Sequence, residues 1–430
     1  MDILIAFALV ALLFLILASG LWIGLTLLAV AYIGMELFTQ RPVGDAMALT
    51  IWGATSSWTL TTLPMFLWMG EILFRTRVAE RMFKALAPWL NHVPGRLLHV
   101  NVMSSTIFAA VSGSSAATCA TIGRMVIPEL QKRGYPDQMV VGTLAGSASL
   151  GLLIPPSIIM IVYGVAADVS IVKLFAAGVI PGILLALIFA GYIAFWSLRH
   201  PEQIPAADSE ISLKEKLKAT LGLLPIFALI TVVMGSIYFG IATATEAAII
   251  GVIGAFGVAI IERSLSWRVF IEGLQAAVRV YAMIGLILAA AAFLTLAMGY
   301  MGLPRHLAEF IASLQLSQFA LTLALTAFFL VLGCFLDGIS MVVLTIAVLL
   351  PTITAAGFDL IWFGVFIVIV VEIAQITPPV GFNLFVLQGL TKREISWLAR
   401  ASLPMFCLMI AFIMLIYFVP GIVTWLPSRM

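Results

Sequence analysis

Long apolar runs dominate the chain, and short polar interruptions divide them. Residues 2–20 and 22–38 predict two apolar spans hinged at Ser19-Gly20. Residues 50–73 predict a third, polar along one side through Ser56, Ser57, Thr59, Thr61 and Thr62. Many runs exceed about 18 residues, the length that argues a bilayer-crossing helix. From 74 to 99 the pattern changes. Val78, Met82, Phe83 and Leu86 recur at helical spacing among Arg75, Arg77, Arg81, Lys84 and Arg96, which predicts an amphipathic helix lying at the interface. Residues 97–131 are apolar overall but carry Ser112-Gly113-Ser114-Ser115 at their middle. Each leg has about 15 residues, roughly 22 Å of helix. That is too short for a ~30 Å hydrocarbon core, so a re-entrant hairpin is expected. Irregular backbone at that depth is tolerated only inside protein or lining a cavity. Residues 138–166 predict a span broken at Pro155-Pro156, and 171–197 a further span. The loop 198–218 is the most polar of the chain, with Glu202, Asp208, Glu210, Lys214, Lys216 and Lys218.

The same order returns after this loop. Spans are expected at about 219–240, 244–261 and 270–300, a short amphipathic segment at 302–316, a hairpin at 318–352, a broken span at 358–388 and a last span at 401–425. Met69-Gly70 and Ala79-Glu80 align with Met298-Gly299 and Ala308-Glu309 at one offset of 229 residues. The second tip is Asp337-Gly338-Ile339-Ser340, and the second break is Ile376-Thr377-Pro378-Pro379. Gly113 to Pro155 is 42 residues and Gly338 to Pro378 is 40. The organisation expected is thus a first repeat at 1–200, a connecting loop at 201–218 and a second repeat at 219–430. Each repeat holds three spans, a hairpin, a broken span and a span. Five crossings per half is odd, so the halves should be inverted. Cations beside spans mark the cytoplasmic side. The five in 74–99 place the N-terminus outside and bring the first hairpin in from the cytoplasm. The 302–316 segment holds one Arg, as expected if it lies outside. Inverted repeats with paired breaks near the midplane are the design of secondary transporters.

Composition agrees with the pattern. Hydrophobic residues make up 63% of the 430 and charged residues 10%, against about 25% charged in soluble domains. The fold class expected is an all-α polytopic membrane protein; a β-barrel would show ~10-residue alternating segments. Met1-Asp2-Ile3 lacks a basic region, and no Lys or Arg precedes Arg41, so the first helix is expected to be retained. The net charge of +2 gives no reason to expect a nucleic-acid partner. Cys119, Cys334 and Cys407 sit in apolar sequence without CxxC spacing and are expected to be buried small hydrophobes.

A hairpin tip and a proline break both free backbone groups from helical partners. Freed carbonyls and hydroxyls suit a hard cation such as Na⁺, and freed N–H groups at half-helix N-termini suit an anion. Ser112, Ser114 and Ser115 are expected to face the break at 151–157. Asp337 and Ser340 are expected to face Thr377, Gly381 and Asn383. Gly113, Gly338 and Gly381 permit the turns and close approach. No Lys or Arg occurs from 318 to 391. A carboxylate held between the tips would therefore depend on bound Na⁺ and helix dipoles for its positive potential. Asp337, the lone charge of its hairpin, is a functional candidate by default. Glu71, Glu246 and Glu372 are also intramembrane, and for each the sequence leaves open whether it supports the site or bonds helix to helix.

SGSSAATCATIG (112–123), GLLIPPS (151–157), TATEAA (243–248), FLDGISMVVLT (335–345) and EIAQITPPVGFNLFVLQG (372–389) resemble the large membrane subunit, of the DctM/SiaM type, of tripartite ATP-independent periplasmic (TRAP) transporters. The resemblance spans nearly the whole chain, and ITPPVGFNLFV is its most specific part. It implies a sodium-coupled elevator of the bacterial inner membrane, in which the hairpins and broken helices slide against a scaffold. It implies three partners: an organic acid, a periplasmic binding protein that delivers it, and a separate small four-helix membrane subunit. Carried onto this chain, the sodium ligands are Ser112, Gly113, Ser114, Ser115, Gly151, Pro155, Asp337, Gly338, Ser340, Thr377, Pro378 and Gly381. The substrate contacts are Ser114, Ser115, Thr118, Ser340, Thr377 and Asn383. One departure is Ala347, where the family usually has Pro, which predicts a straighter exit leg for the second hairpin. A binding-protein-independent divalent-anion/sodium symporter would share the architecture, but its Ser-Asn-Thr tips are absent. An intramembrane hydrolase would need paired Asp, Ser/His or zinc ligands; His92, His99, His200 and His306 all fall in loops or interfacial segments.

Overall fold

The computed structural model describes residues 2–206, 212–379 and 381–430. Asp208 and Glu210 of the expected connecting loop lie outside them. Among the described residues every regular element is helical. The first half runs α1 (Asp2–Ala18), α2 (Ile23–Phe38), α3 (Val43–Thr55), α4 (Thr62–Phe74), α5 (Val78–Leu90), α6 (His99–Ser112), α7 (Ser115–Lys132), α8 (Asp137–Ala148), α9 (Leu150–Leu153), α10 (Ile158–Ala166) and α11 (Ile171–Arg199). The second half runs α12 (Leu213–Leu221), α13 (Leu224–Tyr238), α14 (Ala244–Ile261), α15 (Trp267–Tyr300), α16 (Leu303–Ser313), α17 (Gln318–Leu332), α18 (Gly338–Ala355), α19 (Leu360–Gln375), α20 (Phe382–Thr391), α21 (Ile395–Phe418) and α22 (Gly421–Thr424).

Three expectations need correction. The third span, expected as 50–73, is split: α3 ends at Thr55, and a 3₁₀ turn at Trp58–Thr61 precedes α4. Ser56, Ser57 and Thr59 are turn formers, since their hydroxyls compete for backbone groups and weaken the helix. The polar side of the expected span was the signature of this interruption. The connecting loop is not all loop. Its end is α12, started by a capping box in which Ser212 and Glu215 satisfy each other's backbone N–H groups, and α12 packs on α5 with Trp89 donating to the Thr220 hydroxyl at 2.9 Å. The exit leg of the second hairpin is bent by 64° between Gly338–Ile346 and Val348–Ala355, not straighter. Pro351 is the reason: it has no N–H for the carbonyl four residues back, that of Ala347, so it frees the same turn that a proline there would disturb.

Both hairpins close at their bases. The Leu97 N–H donates to the Tyr135 hydroxyl at 3.3 Å, and the Gln318 side chain donates to the Ala356 carbonyl at 2.7 Å. In each case the bonded residues are 38 apart. Helix pairing then crosses between the halves in matched sets. α2 packs on α15 and α14 on α4; α8 packs on α21 and α19 on α11; α7 packs on α20 and α18 on α10. Under the repeat order each pair maps onto the other of its set. The strongest pairings group α1–α4 with α13–α15, and the hairpins and broken helices with α11 and α21; the two groups meet where α15 packs on α18 and α4 on α6, with α5 running alongside α6 and α12.

Close approach of these helices depends on missing side chains. A Cβ on Gly142 of α8 would lie 2.1 Å from the Ala401 carbonyl oxygen of α21, whereas one on Gly191 of α11 would meet nothing within 4 Å. Gly142→Ala is therefore expected to lower the thermal midpoint of the detergent-purified protein, by overpacking that costs about 1–3 kcal/mol. Gly191→Ala is expected to leave it unchanged or raise it. Equal midpoints for both variants would contradict the α8–α21 packing.

Candidate functional site

The first tip is built by two helix ends. α6 closes at Gly113, whose left-handed φ of +60° reverses the chain, and the Gly113 N–H donates to the Ala109 carbonyl at 3.2 Å. Ser114 then caps α7, its hydroxyl accepting from the Ala117 N–H at 3.4 Å. Thr118 donates through both its N–H, at 3.0 Å, and its hydroxyl, at 2.8 Å, to the Ser114 carbonyl. The Ser112 and Thr118 hydroxyls are 2.9 Å apart. Ser112, Ser114 and Thr118 thus form one hydroxyl-and-carbonyl cluster.

That cluster sits on the first break. The Ile158 N–H, at the start of α10, donates to the Gly113 carbonyl at 3.3 Å. A Cβ on Gly113 would lie 2.8 Å from the Pro156 oxygen, and one on Gly151 would lie 2.7 Å from both the Ser114 oxygen and the Ser115 Cα. Ser157 caps α10 by accepting from the Met160 N–H at 3.3 Å. Of the expected facing, the structure brings Ser114 and Ser115 against Gly151, and Gly113 against Pro156 and Ile158. The Pro155-Pro156 and Pro378-Pro379 bonds are both cis.

The second tip follows a different local rule. Asp337 caps α18: its Oδ2 accepts from the Ile339 and Ser340 N–H groups at 3.1 and 3.3 Å, and the Ser340 hydroxyl donates to Oδ1. The tip lies on the second break, with Cys334 Sγ 3.5 Å from the Pro378 carbonyl oxygen and a Gly338 Cβ position 3.3 Å from Gln375 Nε2. Thr377 donates its hydroxyl to the Ile373 carbonyl at 2.6 Å, and Gly381 fits closely against the Thr377 backbone. Ser340 and Thr377 therefore each spend a hydroxyl hydrogen within their own segment, leaving the oxygens as acceptors.

Asn383 lies along the first hairpin: its carbonyl oxygen is 4.0 Å from Cys119 Sγ, because α20 packs along α7, the exit leg of that hairpin. The three further acidic residues also separate. Glu71 pairs with Arg75 one turn away, and Glu246 completes a capping box with Thr243. Glu372, however, reaches the first site from the second half: its Oε1 accepts from the Leu152 N–H at 3.1 Å, beside Ser115. Its position in an otherwise uncharged helix was the one signal available for it. Cys334 and Gln375 also border the second site, and nothing in their sequence context marks them.

Oxygen-rich tips seated on broken helices in an all-helical, multi-span chain define a polytopic membrane protein of secondary-transporter architecture. The family follows from comparison. A family model for the DctM component of tripartite ATP-independent periplasmic transporters matches residues 10–422, and the chain belongs to that family. It is 33% identical over 427 residues to the C4-dicarboxylate TRAP transporter large permease protein DctM of Rhodobacter capsulatus, covering 94% of each chain. It is 29% identical to the sialic acid TRAP transporter large permease protein SiaM of Vibrio cholerae, covering 96% of each. The isethionate permease DctMQ of Oleidesulfovibrio alaskensis is 30% identical over 95% of this chain, which spans 64% of that protein. The crystal structure of the Alcanivorax borkumensis YdaH transporter shares the fold, with a TM-score of 0.62 at 14% identity, over 94% of this chain and 98% of that one. The family match sets aside the binding-protein-independent symporter, and the relatives are named as permeases and not as enzymes.

The capping role of Asp337 can be separated from any charge role. Asp337→Ala is expected to lower the thermal midpoint by an amount equivalent to about 1 kcal/mol, the worth of an N-cap. Asp337→Asn keeps an acceptor oxygen and is expected to hold the midpoint near wild type. A midpoint lowered equally by both would show that the charge, not the cap, stabilises the tip.

Proposed function

We propose that the chain is the large membrane subunit of a sodium-coupled TRAP transporter that takes up an organic acid through the bacterial inner membrane by an elevator movement. The observation that carries the proposal is the seating of both polar tips on both proline breaks in a member of the DctM family. At the first tip the Ser112, Ser114 and Thr118 oxygens, with Ser115, Gly151 and Pro155 around them, offer oxygen ligands without a competing cation. At the second tip Asp337, Ser340, Thr377 and the backbone around Gly338, Pro378 and Gly381 do the same. These groups suit Na⁺, a hard cation that prefers oxygen. Bound sodium would give the positive potential that an organic anion needs in a segment free of Lys and Arg.

The substrate class comes from the relatives, whose names give C4-dicarboxylate, sialic acid and isethionate, all of them organic anions. Two partners are expected: a periplasmic binding protein and a small four-helix subunit; the relative named DctMQ is consistent with the second. The matched cross-half pairing supports a structural repeat, and the odd number of expected crossings per half together with the cations of 74–99 supports its inversion and a periplasmic N-terminus. The mobile body in this reading is made of both hairpins, both broken helices, α11 and α21, moving against α1–α4 and α13–α15.

In proteoliposomes holding the chain, the small subunit and a cognate binding protein, uptake is expected to need an inward Na⁺ gradient and the binding protein together. Ser115→Ala is expected to weaken the sodium dependence several-fold. Undiminished uptake with K⁺ replacing Na⁺ would overturn the sodium coupling, and uptake without the binding protein would overturn the tripartite assignment.

A further inference from the structure

Glu372 is the only charged residue of α19, and it is 1% exposed. One carboxylate oxygen, Oε1, accepts from the Leu152 N–H; the other, Oε2, has no hydrogen-bond partner among the described residues. It forms none of the described ion pairs. A buried carboxylate without a basic partner is costly, and a bound cation or a proton must offset that cost. The surroundings favour a cation. Ser115 borders the carboxylate, and the Ser112–Ser114–Thr118 oxygen cluster adjoins it on the same tip. Asn383 lies on α20, which packs on α7, fully buried, with its side-chain oxygen and nitrogen both unpartnered among the described residues. Cys119, one turn beyond Ser115 on α7, lies against the Asn383 carbonyl. An orphaned carboxylate oxygen from the second half thus lies beside the hydroxyl-bearing tip of the first, and a buried amide without a partner among the described residues sits on the neighbouring α20.

We infer that Glu372, carried by the broken helix of the second half, supplies the fixed negative charge for the cation held at the first hairpin tip. That site is then completed only when both halves are in place, with Asn383 as its neighbouring amide. The inference rests on the sodium reading and goes beyond it, since the tip residues alone are neutral. It also gives the cross-half packing of α20 on α7 a function: moving the first tip without the second broken helix would strip the cation of its charge partner.

The test is the thermal midpoint of the purified full-length chain, titrated with NaCl against choline chloride at constant ionic strength. The wild-type midpoint is expected to rise with Na⁺ and not with choline. In Glu372→Gln the half-maximal Na⁺ concentration is expected to rise about ten-fold or more, as loss of a close, poorly screened charge requires. Glu372→Asp is expected to keep the rise at weakened affinity. An unaltered titration in Glu372→Gln would overturn this inference and leave the sodium reading standing; no Na⁺ response in the wild type would overturn the sodium reading first. If Glu372→Gln loses a cooperative transition, dicyclohexylcarbodiimide labelling of the wild type decides. Na⁺ is expected to protect Glu372 from the reagent relative to choline, and equal labelling would overturn the inference in favour of a resident proton.

Discussion

The Ile158 N–H and the Gly113 carbonyl, 3.3 Å apart, satisfy each other where two helices stop. A bilayer offers no water to backbone groups, so every helix interrupted within it must find a protein partner for the groups set free. Each half of this chain contains two such interruptions, a hairpin tip and a proline break. Setting one on the other answers both needs at once. The hairpins, the breaks and the glycines between them follow from that constraint. Gly113 and Gly151 are required because carbonyl oxygens and a Cα stand where a side chain would go.

Satisfying backbone groups leaves oxygens over. A carbonyl has two lone pairs and a hydroxyl acts as both donor and acceptor. Thr118 donates to Ser114 and Thr377 to Ile373, but their oxygens stay available. The structural solution to a broken membrane helix therefore produces an oxygen-lined place as a by-product, and charge is added at two points. Asp337 brings charge to the second tip from its own hairpin, where it doubles as a helix cap. Glu372 brings it to the first tip from the opposite half. The two sites are thus alike in construction and unlike in where their charge originates.

Much of this was legible in the sequence, because the interruptions are written in residue types with strong local preferences. Gly113 and Asp337 mark turns, the paired prolines mark breaks, and the 42- and 40-residue spacings tie tip to break. The amphipathic spacing of Val78, Met82, Phe83 and Leu86 likewise located α5. Local signals that compete were harder to weigh. Ser56 and Ser57 were legible as a polar face or as a turn, and the turn prevailed; Ala347 suggested a straight helix, but Pro351 acts on its carbonyl. What sequence could not supply was partnership between distant helices. Asn383 is six residues from Thr377, which suggested the second tip, and only the packing of α20 on α7 shows that its backbone also meets the first hairpin. The role of Glu372 depends on Leu152, 220 residues away, and no local pattern encodes that contact.

Under the proposed elevator movement, both hairpins, both broken helices, α11 and α21 form one body that moves against α1–α4 and α13–α15. Reversible cross-linking tests it, in a background with Cys119, Cys334 and Cys407 replaced by alanine. A cysteine pair at Gly123 and Leu390, in contact between α7 and α20, lies within the proposed body. A pair at Phe66 and Phe175, whose rings are 5.9 Å apart, lies across its boundary, between α4 and α11. Uptake by the reconstituted transporter is predicted to survive oxidation of the first pair, and to be lost on oxidation of the second and restored by reduction. Uptake that continues with the Phe66–Phe175 pair fully cross-linked, or stops with the Gly123–Leu390 pair cross-linked, would contradict the account.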